Sequence, residues 1–169
     1  ALKDDGSVVT WGHSDYGGDS SAVASELSSG VSQIFSGGSS AFAALKDDGS
    51  VITWGSSGSG GDSSAVASEL TSGVSQIFST EDSAGNAFAA LKDDGSVITW
   101  GNSSSGGDSS AVASSLSSGV SRIFSTISSF AALKDDGSVV TWGRYYSGGD
   151  SSRVASELSS GIVQLFFND

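Results

Sequence analysis

The 169 residues include no Cys, no Pro and no Met, and only one His. Without Cys there is no disulfide framework, no thiolate zinc site and no thiol nucleophile. No apolar run approaches the ~18 residues of a membrane-spanning helix, and no charged-then-apolar leader pattern is visible, so the compartment stays open. Basic residues are scarce: seven Lys and Arg stand against nineteen Asp and Glu, for a formal charge of −12 and a pI near 4.1. That balance argues against docking on phosphate backbones or anionic membranes. Large apolar residues are few as well. Leu, Ile, Val and Phe number 38, only just above the level at which composition alone suggests disorder. Ser fills a quarter of the chain and Gly another 24 positions. A mass of 16.7 kDa suits one domain or a short repeat array.

What is present is repetition. The string ALKDDGSVVTWG opens the chain and returns, with at most one change, at Ala44, Ala90 and Ala132. A variable stretch follows each copy, then GGDSS from Gly17, Gly60, Gly106 and Gly148, then a V-A-S-x-L-x-S-G run. A short apolar segment closes each unit, beginning at Val31, Val74, Val120 and Ile162. Self-similarity at this period is the mark of solenoids and propellers. One repeat domain over residues 1–169 is expected, with repeats at about 1–43, 44–89, 90–131 and 132–169.

Each repeat reads as three strands: VSQIFS, FAALK and SVITW, with Asp-Gly as the hairpin turn between the last two. With Asp48 and Gly49 as central turn residues, Leu45 is expected opposite Ile52 and Ala43 opposite Trp54. Both faces of the ribbon are mostly apolar, which fits a blade sandwiched between neighbours rather than a hairpin with one wet face. The Ser/Gly-rich connection is long for a structureless loop. Its A-V-A-S-E-L core predicts one short helical turn, capped by Ser20 or Ser21 and stopped by Gly30. The four Trp residues (Trp11, Trp54, Trp100 and Trp142) end a two-faced apolar strand and are expected in the core. Lys3, Lys46, Lys92 and Lys134 precede acid pairs and are expected to relieve charge repulsion there.

The A-L-K-D-D-G-S-V-V-T-W-G string, preceded by G-V-S-Q-I-F-S, resembles the signature of the regulator of chromosome condensation repeats, a β-propeller family. The compact repeat is most similar to that of propeller-type β-lactamase inhibitory proteins. The resemblance spans essentially the whole chain and implies an all-β fold: a β-propeller-like array of four short antiparallel blades, about three strands each, in an open or closed ring. It departs from the family in lacking the Gly-x-x-His-Ser stretch between first and second strands, and four repeats are fewer than the usual seven. The chain starts on a second strand and ends after a first one, 163–167. That offset suits a C-terminal strand completing the N-terminal hairpin, and suits equally a segment of a longer array. With no initiator Met, a larger native protein is the expectation.

Comparing the copies with one another separates scaffold from variation. The Lys-Asp-Asp-Gly turns do not change, whereas residues 13–16, 56–59, 102–105 and 144–146 vary, as do 37–41, 80–87 and 126–129. Strand direction places both variable stretches on one rim, opposite the acidic turns. Repeat scaffolds carry per-repeat variation on the binding face, so His13, Tyr16, Glu81, Asp82, Asn102, Arg144, Tyr145 and Tyr146 form a candidate partner-binding rim. Enzyme chemistry finds little support. The single His13 has no counterpart in the other copies, and no G-x-S-x-G elbow or phosphate-binding loop accompanies it. Each D-D-G turn offers two carboxylates where calcium takes six to eight oxygens, so Asp is read as serving turns and solubility. Asp19, Asp62, Asp108 and Asp150 of GGDSS are expected to accept from nearby backbone amides. No catalytic residue, metal or cofactor is assigned. The expected function is a non-enzymatic scaffold or peripheral subunit bound to a protein partner, such as a large native multi-subunit complex. The alternative is a secreted or cell-surface inhibitor or adhesion module; a calcium-dependent lectin or an enzyme is disfavoured, and neither nucleic acid nor membrane insertion is expected.

Overall fold

The computed structural model describes residues 1–38, 40–83 and 85–166. Nine strands form three separate antiparallel sheets. The first blade comprises β1 (Val31–Gly37), β2 (Ala41–Lys46) and β3 (Val51–Gly55). The second comprises β4 (Val74–Ser79), β5 (Ala87–Lys92) and β6 (Val97–Gly101). The third comprises β7 (Val120–Ser125), β8 (Ser129–Lys134) and β9 (Val139–Gly143). Residues 1–11 form the remnant of one more hairpin, held by a single bridge from Leu2 to Val8. Among the described residues no strand pairing joins the two ends, so the ring is open. The described part of the closing segment, 161–166, carries no strand; Phe167 lies outside the described residues.

The hairpin register differs by one residue from the expected one. Lys46 pairs with Ser50 through Lys46 N–H to Ser50 O at 2.9 Å, and Gly49 N–H donates to Lys46 O at 2.9 Å. The loop therefore has three residues, Asp47, Asp48 and Gly49, with Gly49 left-handed at φ 76°. A turn closed by a left-handed Gly is the usual three-residue hairpin loop, and it adds one residue relative to a two-residue turn. Leu45 consequently faces Val51, and Phe42 rather than Ala43 faces Trp54. The same pairing sets Phe88 opposite Trp100 and Phe130 opposite Trp142. Each ring pair stacks at 5.3 Å between centroids. The first strands carry their own irregularity at Ser32, Ser75 and Ser121, between the paired residues on either side. There each hydroxyl donates to the carbonyl of Leu45, Leu91 or Leu133.

Blades stack by their faces. Ala41, Ala43, Leu45 and Val51 of the first blade meet Ile77, Phe88, Ala90 and Trp100 of the second. Ala87, Ala89, Leu91 and Val97 of the second meet Ile123, Phe130, Ala132 and Trp142 of the third. Small Ala on one face leaves depth for the aromatic pair of the next, which is how so few large residues fill a dry interface. A hydrogen bond fixes each junction: the indole N–H of Trp54, Trp100 and Trp142 donates to the carbonyl of Gly17, Gly60 and Gly106 in the preceding repeat at 3.0–3.1 Å. Trp54, Trp100 and Trp142 are buried. Trp11 is not: it is 73% exposed. It occupies the same repeat position, but the second strand of its own hairpin, residues 1–3, sets no Phe opposite it, and its indole donates to no glycine carbonyl among the described residues.

The Ser/Gly-rich connection is ordered by backbone bonds. It forms two 3-10 turns per repeat, the second over Ser21–Val23, Ser64–Glu69, Ser110–Val112 and Ser152–Val154. Ser20 makes no side-chain cap; Asp19, Asp62, Asp108 and Asp150 do this instead, accepting the amides of Ser21, Ser64, Ser110 and Ser152 at 2.8–2.9 Å. A carboxylate accepts that bond more strongly than a hydroxyl. Leu27, Leu70 and Leu116 are buried beneath these turns. On the lower edge, the amides of Val31, Val74, Val120 and Ile162 donate to Gly6, Gly49, Gly95 and Gly137 in the turn before them. In turn, Asp47, Asp93 and Asp135 donate back to Gly30, Gly73 and Gly119, so the edge is a continuous ladder. The lysines differ from expectation. Lys46, Lys92 and Lys134 reach the carbonyls of Glu26, Glu69 and Ser115, at the end of the helical turn below. Among the described residues, Lys3 instead pairs with its neighbouring carboxylate, Asp5, at 3.2 Å.

Candidate interaction rim

The upper edge of each blade joins its two variable stretches side by side. Ser56, Asn102 and Arg144, just past the third strands, donate their amides to Ser40, Asn86 and Ser128 at 2.7–2.9 Å. Each stretch after Trp-Gly then folds into a 3-10 turn ended by a left-handed Gly: Gly17, Gly60, Gly106 or Gly148. At Gly60 a side chain would collide with the Phe88 ring at 2.6 Å, besides being strained at φ 94°. Gly here lets the turn lie flat against the next blade's aromatic pair.

The position heading this turn varies, and its occupants do different things. His13 accepts the Asp15 amide through Nδ1 at 3.3 Å and leans against the Tyr16 ring at 5.2 Å. Asn102 accepts the Ser104 amide at 2.9 Å. Both act as N-caps, a role that accounts for the lone histidine without catalysis. Arg144 makes no side-chain cap. Its Nη1 instead lies 2.8 Å from Oδ2 of Asp82, a carboxylate only 6% exposed. The Ser128 hydroxyl donates to the same oxygen at 2.8 Å and that of Ser105 at 3.4 Å. The Glu81 amide adds a bond to Ile127 O at 3.1 Å. The loop of the second blade is thereby stitched to both loops of the third.

Glu81, Asp82 and Asn102 share one groove of about 520 Å³, lined also by Ser40, Ser59 and Asn86. Arg144 is linked to that groove through Asp82. Tyr145 and Tyr146 stand apart, edge to face at 4.9 Å and 52% and 92% exposed. At the opposite end of the array, Tyr16 is 59% exposed. The eight rim residues therefore fall into three places: a central polar groove and an aromatic group toward each end. Sequence reasoning passed over Asn86, Ser105 and Ser128, all buried. Asn86 donates Nδ2 to Gly37 O at 2.5 Å, across the first junction. The only hint was the length of the 80–87 stretch; Ser in a Ser-rich chain gives no signal.

The acidic turns hold their charges by hydrogen bonding. Asp48, Asp94 and Asp136 each accept both the hydroxyl and the amide of the Ser two residues on. Those bonds lower their pKa values below the ordinary aspartate range, with lysine attraction a smaller contribution. Asp5 is held down to about 2 by the Ser7 hydroxyl and amide and by Lys3. Among the described residues no group of three or more His, Cys, Asp or Glu side chains is placed to hold a metal ion. No helix there is long and apolar enough to cross a membrane.

No protein-family model and no curated protein matches the chain. Solved structures do. Yeast RCC1 (Prp20) bound to Kap60 aligns at 16% identity and TM-score 0.43, over 68% of this chain and 30% of that one. Prp20p of Saccharomyces cerevisiae, solved in a study of its binding to Gsp1p and histones, aligns at 17% identity and TM-score 0.45, over 69% and 31%. Human WBSCR16 aligns at 22% identity and TM-score 0.40, over 67% and 34%. The chain thus spans about a third of the length of these structures. Two of these three structures are of yeast RCC1, a protein of the type whose repeat signature the sequence resembles. The blade assignment itself rests on the strand pairing and stacking described above.

Proposed function

We propose that the chain is a non-enzymatic protein-binding module, a scaffold or peripheral subunit of a larger assembly, which presents its variable rim to a protein partner. One observation carries this reading: Tyr16, Tyr145 and Tyr146 stand exposed, while Phe88, Phe130, Trp54, Trp100 and Trp142 are buried. These tyrosines lie in the segments that change from blade to blade. Exposed Tyr on a rigid scaffold supplies contact area at small entropic cost and is a common interface anchor. The groove holding Glu81 and Asn102 would give the polar part of the contact, with Asp82 and Arg144 fixing its floor. His13 is the sole histidine, and its Nδ1 is committed to a backbone amide. The test is a triple variant, Tyr16→Ser, Tyr145→Ser and Tyr146→Ser, compared with wild type in quantitative capture of partners from native extract. These side chains are exposed, so the melting temperature should hold while the wild-type partner is lost. Unchanged partner affinity would overturn the reading.

A further inference from the structure

Asn86, at the upper edge between the first and second blades, is 2% exposed. Its Nδ2 donates to Gly37 O at 2.5 Å, but among the described residues nothing donates to its Oδ1. A buried acceptor left unpaired is destabilising, and native folds rarely keep one. The equivalent places in the neighbouring blades hold Ser40 and Ser128, whose carbonyls likewise accept the amide just past the third strand. Both hydroxyls there have partners: Ser128 donates to Asp82, and Ser40 to Ser59 at 3.4 Å. Only the second blade carries an amide at this place, and only there is an acceptor left over. We infer that the groove over Asn86 receives an arginine side chain of the protein partner, which donates to Oδ1 and lies against the Glu81 carboxylate. The inference rests on the rim being the partner-binding face, and it names the chemistry that the partner brings.

The groove's lining selects for a cation. Beside Asn86, its volume of about 520 Å³ is bounded by Glu81, Asp82, Asn102, Ser40 and Ser59. An anion would meet two carboxylates there, and an apolar group would leave Oδ1 still unpaired. Asp82 already faces Arg144 at 2.8 Å, and Asn102 Oδ1 accepts the Ser104 amide. Glu81 is different: it is exposed and makes no ion pair among the described residues. The uncompensated charge in the groove is therefore negative, on a chain whose net charge is −12. A positively charged donor answers both features, giving Oδ1 a hydrogen bond and Glu81 a counter-charge.

Guanidinium fits better than ammonium. Oδ1 is shut off from bulk water, so its donor must shed its own hydration, and a guanidinium is the more weakly hydrated cation. Its planar fork also carries enough donors to serve Oδ1, Glu81 and a serine hydroxyl together. The backbone leaves room beside the amides. A side chain at Gly38 would come within 3.0 Å of Asn86 Oδ1, and one at Gly85 within 2.5 Å of Asn102 Nδ2. Glycine at both places keeps that space clear.

Titration of the whole chain with a capped Gly-Arg-Gly peptide, followed by proton–nitrogen correlation NMR, tests this. The Asn86 side-chain amide and the backbone amides of Ser59 and Gly85 should shift together and saturate in the millimolar range. The same peptide with Lys should bind more weakly, and with neutral citrulline more weakly still. Glu81→Gln should weaken the arginine peptide about threefold at low salt, as for a partly exposed ion pair. Asn86→Ser, the residue that both neighbouring blades carry there, should weaken it about tenfold or more. Should Asn86→Ser lower the melting temperature, the wild-type shifts and Glu81→Gln decide the matter. Shifts absent from the groove, or equal for arginine and citrulline, overturn the inference. Tighter binding of the lysine peptide overturns the choice of arginine. None of these variants alters Tyr16, Tyr145 or Tyr146, and the tyrosine triple variant should keep the arginine-peptide shifts. Failure of the groove is thus distinguishable from failure of the rim reading.

Discussion

Asp82 and Arg144 show what a single residue contributes that repetition does not. Both occur once, in stretches that vary, and a sequence gives no reason to join positions 62 residues apart. In the fold the pair spans two blades, with one carboxylate oxygen shared between a guanidinium and two hydroxyls. Asp82 is buried and Arg144 39% exposed, so removing the arginine takes a charged donor from a carboxylate that water reaches poorly. Arg144→Ala should cost about 1.5–3 kcal/mol, the range for a hydrogen bond to a charged group. In a double-mutant cycle with Asp82→Asn, denaturant unfolding should show a coupling above about 0.5 kcal/mol. A coupling near zero would return both residues to the solvent-facing rim. Trp11 makes the converse point: it shares its sequence context with three buried tryptophans, and only its place at the end of the stack sets it apart.

Local signals at the element scale were legible wherever backbone geometry follows residue type. The three strands, the hairpin and the GGDSS Asp as an acceptor of backbone amides were readable, although the cap was expected at Ser20 or Ser21, because Asp and Gly have few alternatives in tight turns. The register was not. D-D-G fits a two-residue and a three-residue loop alike, and the choice is settled by Gly49 docking against the Gly73 backbone, which would lie 2.7 Å from a side chain there. Lys46, Lys92 and Lys134 also escaped notice, since their carbonyl partners lie about twenty residues upstream. The turn carboxylates give a prediction with a definite sign. Their pKa values are lower in the fold than in the unfolded chain. The stability they contribute is therefore complete above the ordinary value of 3.8 and is lost as pH falls through the folded values, about 2 for Asp5. Thermal melts should show the melting temperature falling between about pH 4 and pH 2. Asp94→Asn should make that fall shallower, and an unchanged pH dependence would remove the turns from the acid response.

Across the whole molecule, stability has two sources with different reach. Face-to-face junctions connect only neighbouring blades, as in any linear repeat, whereas the lower-edge ladder, in which Val, Ile and Asp amides donate to Gly carbonyls, runs from Gly6 to Ile162. The second blade has both faces covered. The N-terminal hairpin has one neighbour and one bridge. If junctions dominate, opening should begin at the ends and reach the centre last. Hydrogen exchange measures this. Amides at Val8 and Val9 should exchange about a hundredfold or more faster than those of β5, reflecting local opening well below the global unfolding free energy. Equal protection from end to end would mean that the ladder ties the blades into one cooperative unit.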